Sequence, residues 1–431
     1  MRGFFYIYKM ELKLVTRGIL LSYFVTLFSG PFAETLDWNT WRLLIFSLIN
    51  TFSFSYFLVS KDLRLFLNKA IKSKVSLVTS LFLAWALLSY FYALNPTEVI
   101  VRIFAMVNFY LLFLNLSVIL ASNKFTKIQI SLIISFIFLL QVSISYWSYL
   151  NMIQYKPYTF DDNVFLISIF SNRNITTALY LVQIPFVMYL IIKSKSFFIR
   201  ISSCILFFAS FYMLFLLASR TSYIIMLGLL LLFLLSSIYY KHTLKSFFNK
   251  PFGLFISTLM LSYALSLFAL GSDNSANAAN RIQTINFEET STNTRLRYYS
   301  YAVDEIISNP LIGVGYGNWK IVSIDRDKEN ILSYVVPYTM HNDFLEVAVE
   351  LGLLGLLLFL LIFLIPVYKL VQIVINKESI FAILLLSSLA VYMIDANLNF
   401  PSLRMSSLFF CALLISMANN IKQFKWEFYK L

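Results

Sequence analysis

The sequence predicts an all-α polytopic membrane protein: about twelve transmembrane helices, with one long, partly helical outer loop between the ninth and the tenth. Three observations predict it. Of the 431 residues, 59% are hydrophobic and only 13% are charged, about half the charged fraction of a soluble domain. The apolar residues gather into runs of about 20, the length at which a helix crosses a bilayer. Lysine and arginine collect in alternate connections, as they do on the cytoplasmic side of multi-pass proteins.

Taken in order, the apolar runs fall at 18–33, 41–60, 75–94, 98–121, 127–149, 175–193, 197–218, 221–240, 251–270, 344–368, 379–395 and 403–420. The first is short and ends at Gly30-Pro31. The seventh and eighth are separated only by Ser219-Arg220-Thr221, which predicts a tight hairpin or a broken pair. With the N-terminus inside, the inner segments 1–17, 61–74, 122–127, 193–200, 241–250, 368–378 and the C-terminal tail carry about 22 Lys/Arg and about 4 Asp/Glu. The rest of the chain carries about 12 and about 17. Both termini are then expected in the cytoplasm. The net charge of +13 reports topology, and no nucleic-acid partner is needed to explain it. The two cysteines, Cys204 and Cys411, lie in apolar runs, so neither a disulfide framework nor a zinc pattern is expected.

Three regions follow: 1–270 with the first nine helices, 271–342 as an outer loop with an amphipathic helix, and 343–431 with the last three helices and a tail. A structureless loop of that length is uncommon unless it is functional. In it, Thr294-Arg295-Leu296-Arg297-Tyr298-Tyr299 opens a helix capped by Ser291, Thr292 or Asn293, with Leu296, Tyr299, Val303 and Ile306 at helical spacing. Asn309-Pro310 ends that helix. Gly313-Val314-Gly315-Tyr316-Gly317 resembles a phosphate loop in composition only. No strand precedes it and no Lys-Ser/Thr follows, so it predicts a backbone turn folding the loop onto the membrane domain. Tyr316 and Trp319 suit either sugar stacking or packing.

The chemistry-bearing residues converge on the outer face. Arg220, between two apolar runs, needs a partner or a wet cavity. It snorkels to the interface or serves as an anion ligand, with Thr221, Ser222 and a helix N-terminus beside it. His341, at the start of the tenth run, has the neutral-range pKa that suits a general base. The other histidine, His242, is predicted cytoplasmic. Asp343 and Glu346 read as a capping box, with Glu350 one turn deeper. Asp395 and Arg404 bracket the last outer turn as a charge pair.

Several stretches together resemble the O-antigen ligase and polymerase superfamily of bacterial membrane glycosyltransferases. They are Ser171-Asn172-Arg173-Asn174, Ala218-Ser219-Arg220-Thr221, Arg295 with Tyr299, Asn309-Pro310-Leu311-Ile312-Gly313-Val314-Gly315, and His341-Asn342-Asp343-Phe344-Leu345-Glu346 running on to Glu350-Leu351-Gly352-Leu353-Leu354-Gly355. The last is the most specific. Tyr299 stands where the family often has tryptophan, and Arg297 competes with Arg295 for the loop-arginine role.

The resemblance implies an enzyme of the bacterial inner membrane, metal-independent and without a cofactor. It moves a glycan from an undecaprenyl-pyrophosphate carrier to an acceptor hydroxyl on the periplasmic side. The expected partners are that donor, a lipid or glycan acceptor such as the lipid A-core, and membrane lipids. His341, Arg220 and Arg295 are the implied catalytic residues. Asn174, Arg297, Tyr299, Asn342, Asp343, Glu346 and Glu350 are the implied substrate-binding ones. A polymerase joining carrier-linked repeat units is the alternative within the family. A polysaccharide flippase is the alternative outside it, but it requires charges along a through-path, whereas these crowd one side.

Overall fold

The computed structural model describes residues 2–31, 37–170, 172–239, 245–270, 290–331, 338–376 and 379–424. His242, Ser171 and the opening of the long loop, 271–289, lie outside them. The helices in chain order are α1 (Arg2–Phe28), α2 (Trp38–Val59), α3 (Lys61–Ile71), α4 (Lys74–Leu88), α5 (Pro96–Asn123), α6 (Lys127–Ile153), α7 (Arg173–Lys193), α8 (Phe197–Leu217), α9 (Arg220–Tyr239), α10 (Lys245–Leu270), α11 (Thr290–Ser308), α12 (Trp319–Asp327), α13 (Asp343–Ile375), α14 (Ile380–Leu398) and α15 (Met405–Asn420). Their starts are written in the sequence. Asp37, Ser73, Asn95 before Pro96, Asn172 and Ser196 each cap a helix through a side-chain oxygen, and Thr126 with Gln129 makes a reciprocal capping box.

Among the described residues, nine helices are long and apolar enough to cross a membrane, and no strand occurs. The chain is a multi-pass membrane protein. These nine coincide with nine of the twelve runs read from the sequence, and the other three fall on α1, α9 and α10, whose described apolar stretches include Arg220–Leu234 and Ile256–Leu270. Helix α3 is short and amphipathic, burying Leu63, Leu67 and Ala70.

The chain divides into two compact units. The first comprises Met1–Lys124, Thr290–Lys369 and Ala396–Phe424, and the second Phe125–Glu289, Leu370–Asp395 and Lys425–Leu431. In the first, α5 is central, packed by α2, α3, α4 and α15. Its apolar interior is pinned by a polar network in which Asn115 Nδ2 donates to Tyr23 Oη at 3.1 Å and Tyr23 Oη donates to Asn50 at 2.8 Å. Such bonds fix helix register where hydrophobicity cannot distinguish neighbours. In the second unit α7 is the buried centre, flanked by α6, α8 and α9. Gln183 donates to Gln141 across the α6–α7 contact at 2.7 Å. Between α8 and α9, Ala218 takes a left-handed conformation with φ 47°. Helix α9 then packs on α7 and α10, so the two runs form a broken pair.

From Thr290 onward, the described part of the long loop belongs to the first unit. Tyr298, Ala302, Val314, Trp319, Val322, Met340 and Val349 share one core cluster. The packed face of α11 is therefore Tyr298 and Ala302. Leu296 and Val303, expected inward, are exposed. The helix already runs at Thr290, so Ser291, Thr292 and Asn293 lie within it and do not cap it. Tyr316 and Trp319 are buried as packing residues.

The loop is fastened to a break in α13. Gly352 adopts φ 67°, ψ −174° inside that helix, a region open essentially to glycine alone. The break releases carbonyls that the glycine-rich turn takes up: Val314 N–H donates to Val349 O at 3.1 Å, and Gly315 N–H to Glu350 O at 2.9 Å. Trp85 Nε1 donates to Leu351 O at 3.0 Å, and Leu353 N–H finds Pro310 O at 2.8 Å. The backbone turn predicted for this stretch is thus the seam between loop and membrane helix. A Cβ at Gly352 would collide with the Leu311 backbone. Gly352→Ala should destabilise the first unit by about 1–3 kcal/mol or more. Thermal unfolding in detergent should show a clear fall in midpoint, while an alanine at Gly18, where a Cβ meets nothing, should leave it unchanged.

Candidate active site

The break leaves Asp343–Leu351 as a short helix of its own, and the site is built on its N-terminal end. Asn342 is the cap, its Oδ1 accepting from Leu345 N–H at 3.0 Å. The capping box expected from Asp343 and Glu346 is therefore displaced by one residue, and Glu346 does not reach back to the helix start. Instead its Oε2 accepts from Met340 N–H at 3.1 Å, and its Oε1 pairs with Arg102 of α5. Asp343 Oδ2 accepts from Ser402 N–H at 2.9 Å, and Glu350 Oε1 from Trp319 N–H at 3.0 Å. Positions 343, 346 and 350 recur on one helical face, which explains why all three carboxyl groups turn inward together. All are buried. Each is engaged in holding a segment around the site: the chain before His341, the turn after α14, and the start of α12.

Arg102 is the residue that sequence reasoning missed. Its side chain is 14% exposed and that of Glu346 4%, and its guanidinium lies over the Tyr316 ring, 5.6 Å from the centroid. The signal was present. An arginine at the edge of an apolar run, the criterion that singled out Arg220, applies equally to Arg102. Its partner, 244 positions away, was not legible.

The two loop arginines are separated by geometry. Arg297 forms a two-point ion pair with Asp327, Nε to Oδ1 at 2.6 Å and Nη2 to Oδ2 at 3.0 Å, and this hydrogen bonding raises its pKa. It is thereby tied inside the loop. Arg295, half-buried one turn before Tyr299, makes no hydrogen bond or ion pair among the described residues. Burial lowers its pKa.

His341 lies beside it. Its backbone is left-handed, φ 60°, a conformation uncommon outside glycine. Its ring meets Phe400 edge to face at 5.0 Å, and Nδ1 is buried without a hydrogen-bond partner, leaving Nε2 as the working nitrogen. Tyr299 Oη donates to the His341 carbonyl at 3.4 Å. Burial first, and the Arg295 charge second, lower the imidazole pKa to about 4, so the ring is neutral at physiological pH. Arg295, Tyr299, His341 and Asn342 thus assemble at one place.

Asn174 and Arg220 belong to the second unit. There Ser219 Oγ donates to Asn174 Oδ1 at 2.8 Å, and Arg220 opens α9 directly after the left-handed Ala218. The Ser222 hydroxyl, expected as an anion ligand, donates to Ser219 O at 2.6 Å. Asp395 falls in the second unit and Arg404 in the first. No group of three or more His, Cys, Asp or Glu side chains among the described residues is arranged to hold a metal.

A family model described as O-antigen ligase matches residues 205–360. Over those residues the match supports the O-antigen ligase superfamily. This is a superfamily of glycosyltransferase-like membrane enzymes. Its O-antigen ligase domain takes in Arg220, the loop arginines, His341 and the three inward carboxyls, and leaves Asn174 and Arg102 outside. No curated protein matches the chain. The ligase domain therefore depends on a charge, Arg102, lying outside its own boundaries. Arg102→Gln should strand the buried Glu346 carboxylate and destabilise the first unit by about 3–5 kcal/mol. Thermal unfolding of the single variant and of Arg102→Met/Glu346→Met is the check, with the double variant expected to recover most of the loss.

Proposed function

We propose that the protein transfers a glycan from undecaprenyl pyrophosphate to an acceptor hydroxyl on the periplasmic face of the bacterial inner membrane, as an O-antigen ligase-like enzyme. The observation that carries this reading is a neutral histidine beside a half-buried arginine that pairs with no described carboxylate, on a helix end inside the O-antigen ligase domain. A lipid-pyrophosphate donor brings its own leaving group, so the protein need supply only a base and an anion clamp. His341 Nε2 takes the proton of the acceptor hydroxyl as its oxygen attacks the anomeric carbon. The bond between that carbon and the pyrophosphate oxygen breaks, and the carrier leaves with the electron pair. Arg295 stabilises the charge that grows on the phosphate, for which a planar guanidinium offers paired donors. Arg220 is assigned the same chemistry from its place in the matched domain. Tyr299 and Asn342 orient the histidine. The proton is then released from the imidazolium to water. A polymerase would run the same step with a carrier-linked glycan as acceptor.

Turnover of a synthetic polyprenyl-pyrophosphate glycan by the purified protein in nanodiscs tests the scheme. His341→Ala should lower kcat by about 10²–10⁴, and Arg295→Ala and Arg220→Ala by about 10²–10³ each. Arg297→Ala should keep kcat within a few-fold and lower the unfolding temperature instead. Full turnover by the His341 variant removes the base assignment.

The pH dependence has a definite sign. In the free protein His341 is unprotonated above about pH 4, so kcat/KM should stay level on acidification until that range and then fall. A bound pyrophosphate favours the imidazolium, so kcat should begin to fall at a higher pH than kcat/KM does. Coincident profiles would place the phosphate away from His341.

A further inference from the structure

The turn between α14 and α15 carries a feature that the transfer step does not use. Arg404 projects its guanidinium over the Phe400 ring, 5.1 Å from the centroid, and Phe400 is the ring that packs edge to face with His341 at 5.0 Å. One aromatic side chain therefore stands between this arginine and the base. Arg404 is half-buried, and its Nε is buried without a hydrogen-bond partner. Its guanidinium makes no hydrogen bond or ion pair among the described residues. The acid whose charge reaches it, Asp37, already accepts from Asn39 N–H, Thr40 N–H and Thr40 Oγ as the cap of α2.

The platform beneath Arg404 is fixed from several directions. Asn39 Nδ2 donates to Leu403 O at 2.9 Å, and Met405 N–H donates to Asn39 Oδ1 at 2.8 Å. Ser402 N–H is held by Asp343, and Arg404 N–H by Pro401 O. Arg42, buried, reaches Ser406 Oγ at 3.2 Å and adds a second positive charge where α15 begins. A desolvated guanidinium whose acidic neighbour, Asp37, is already engaged as a helix cap is set to receive an anion. The planar fork favours phosphate. Arg295 provides one such arm, beside Tyr299. Arg404 provides another, reached through Phe400.

We infer that Arg404 forms a second phosphate subsite, distinct from the one at Arg295, that holds a phosphate of a lipid-linked acceptor. The inference rests on the transfer reading above, because it supposes two substrates meeting at His341. It implies that the acceptor is itself a phosphorylated lipid.

The test is equilibrium binding of farnesyl pyrophosphate, a short mimic of either phosphorylated lipid end, to the intact His341→Ala protein in neutral phosphatidylcholine nanodiscs. No turnover enters the reading, so the result is independent of whether His341 is the base. Two classes of site are expected. Arg404→Gln should weaken one of them by about tenfold or more, Arg295→Ala the other, and Arg404→Lys should fall between Arg404→Gln and the parent. A single class of site that both substitutions weaken would mean one pyrophosphate bridging the arginines, and the second subsite would be lost. Loss of the Arg404-dependent class when phosphatidylglycerol is added would assign it to a bilayer headgroup and overturn the acceptor reading. Unfolding temperatures of each variant, within a few degrees of the parent, separate loss of a site from loss of fold.

Discussion

The geometry of the first unit depends on one backbone constraint, the break at Gly352. An apolar helix long enough to cross the bilayer would normally satisfy its own carbonyls. Here the chain enters a conformation that only glycine tolerates, and the freed groups of Val349, Glu350 and Leu351 must find donors in surroundings without water. They find them in Val314, Gly315 and Trp85. Because unsatisfied backbone groups in hydrocarbon cost several kcal/mol each, the polar loop cannot detach without exposing the helix. The 23 residues after the break still span ~35 Å as a helix, enough to cross a bilayer. The short piece before it is thereby freed to carry a histidine at its capped end.

The carboxyl groups on that short piece follow from the same constraint. Three buried acids facing a single arginine are an expensive arrangement in an apolar medium, and a hydrophobic replacement of similar volume is often at least as stable. What they provide is position. Each grips a backbone N–H from a different segment, Met340, Ser402 or Trp319, so the chain before His341, the turn after α14 and the loop are referenced to one rigid element. The left-handed backbone at His341 is tolerable because its neighbours on both sides are fixed in this way.

Much of the fold was legible because membrane helices are written in composition and length. The cluster from His341 to Gly355 was legible as a helix start, and Gly313 to Gly317 as a turn, since local chemistry decides both. The failures share a cause. The face of α11 was only half legible: Tyr299 and Ile306 pack against the core as their spacing suggests, but an amphipathic pattern does not fix the exact face that meets protein. Tyr298 and Ala302 pack inward while Leu296 and Val303 face outward. Arg295 and Arg297 could not be ranked, since the ranking rests on Asp327, thirty positions on. The capping residue was misplaced because Glu346, apparently the reciprocal partner, is drawn away by Arg102. In each case a long-range partner overrides a local preference.

The electrostatics at His341 favour an anion over any other occupant. Burial, and after it the neighbouring Arg295 charge, keep the His341 imidazole neutral. The arginine retains its charge, and no carboxylate among the described residues pairs with it. A phosphate arriving between them would pair with the guanidinium and at the same moment raise the imidazole's affinity for a proton. On the proposed mechanism, His341 therefore becomes a stronger base when the donor is in place, and remains weak and neutral when it is not. Such coupling restrains the histidine from acting on water in the empty site, and it requires no moving part beyond the arrival of the substrate's own charge.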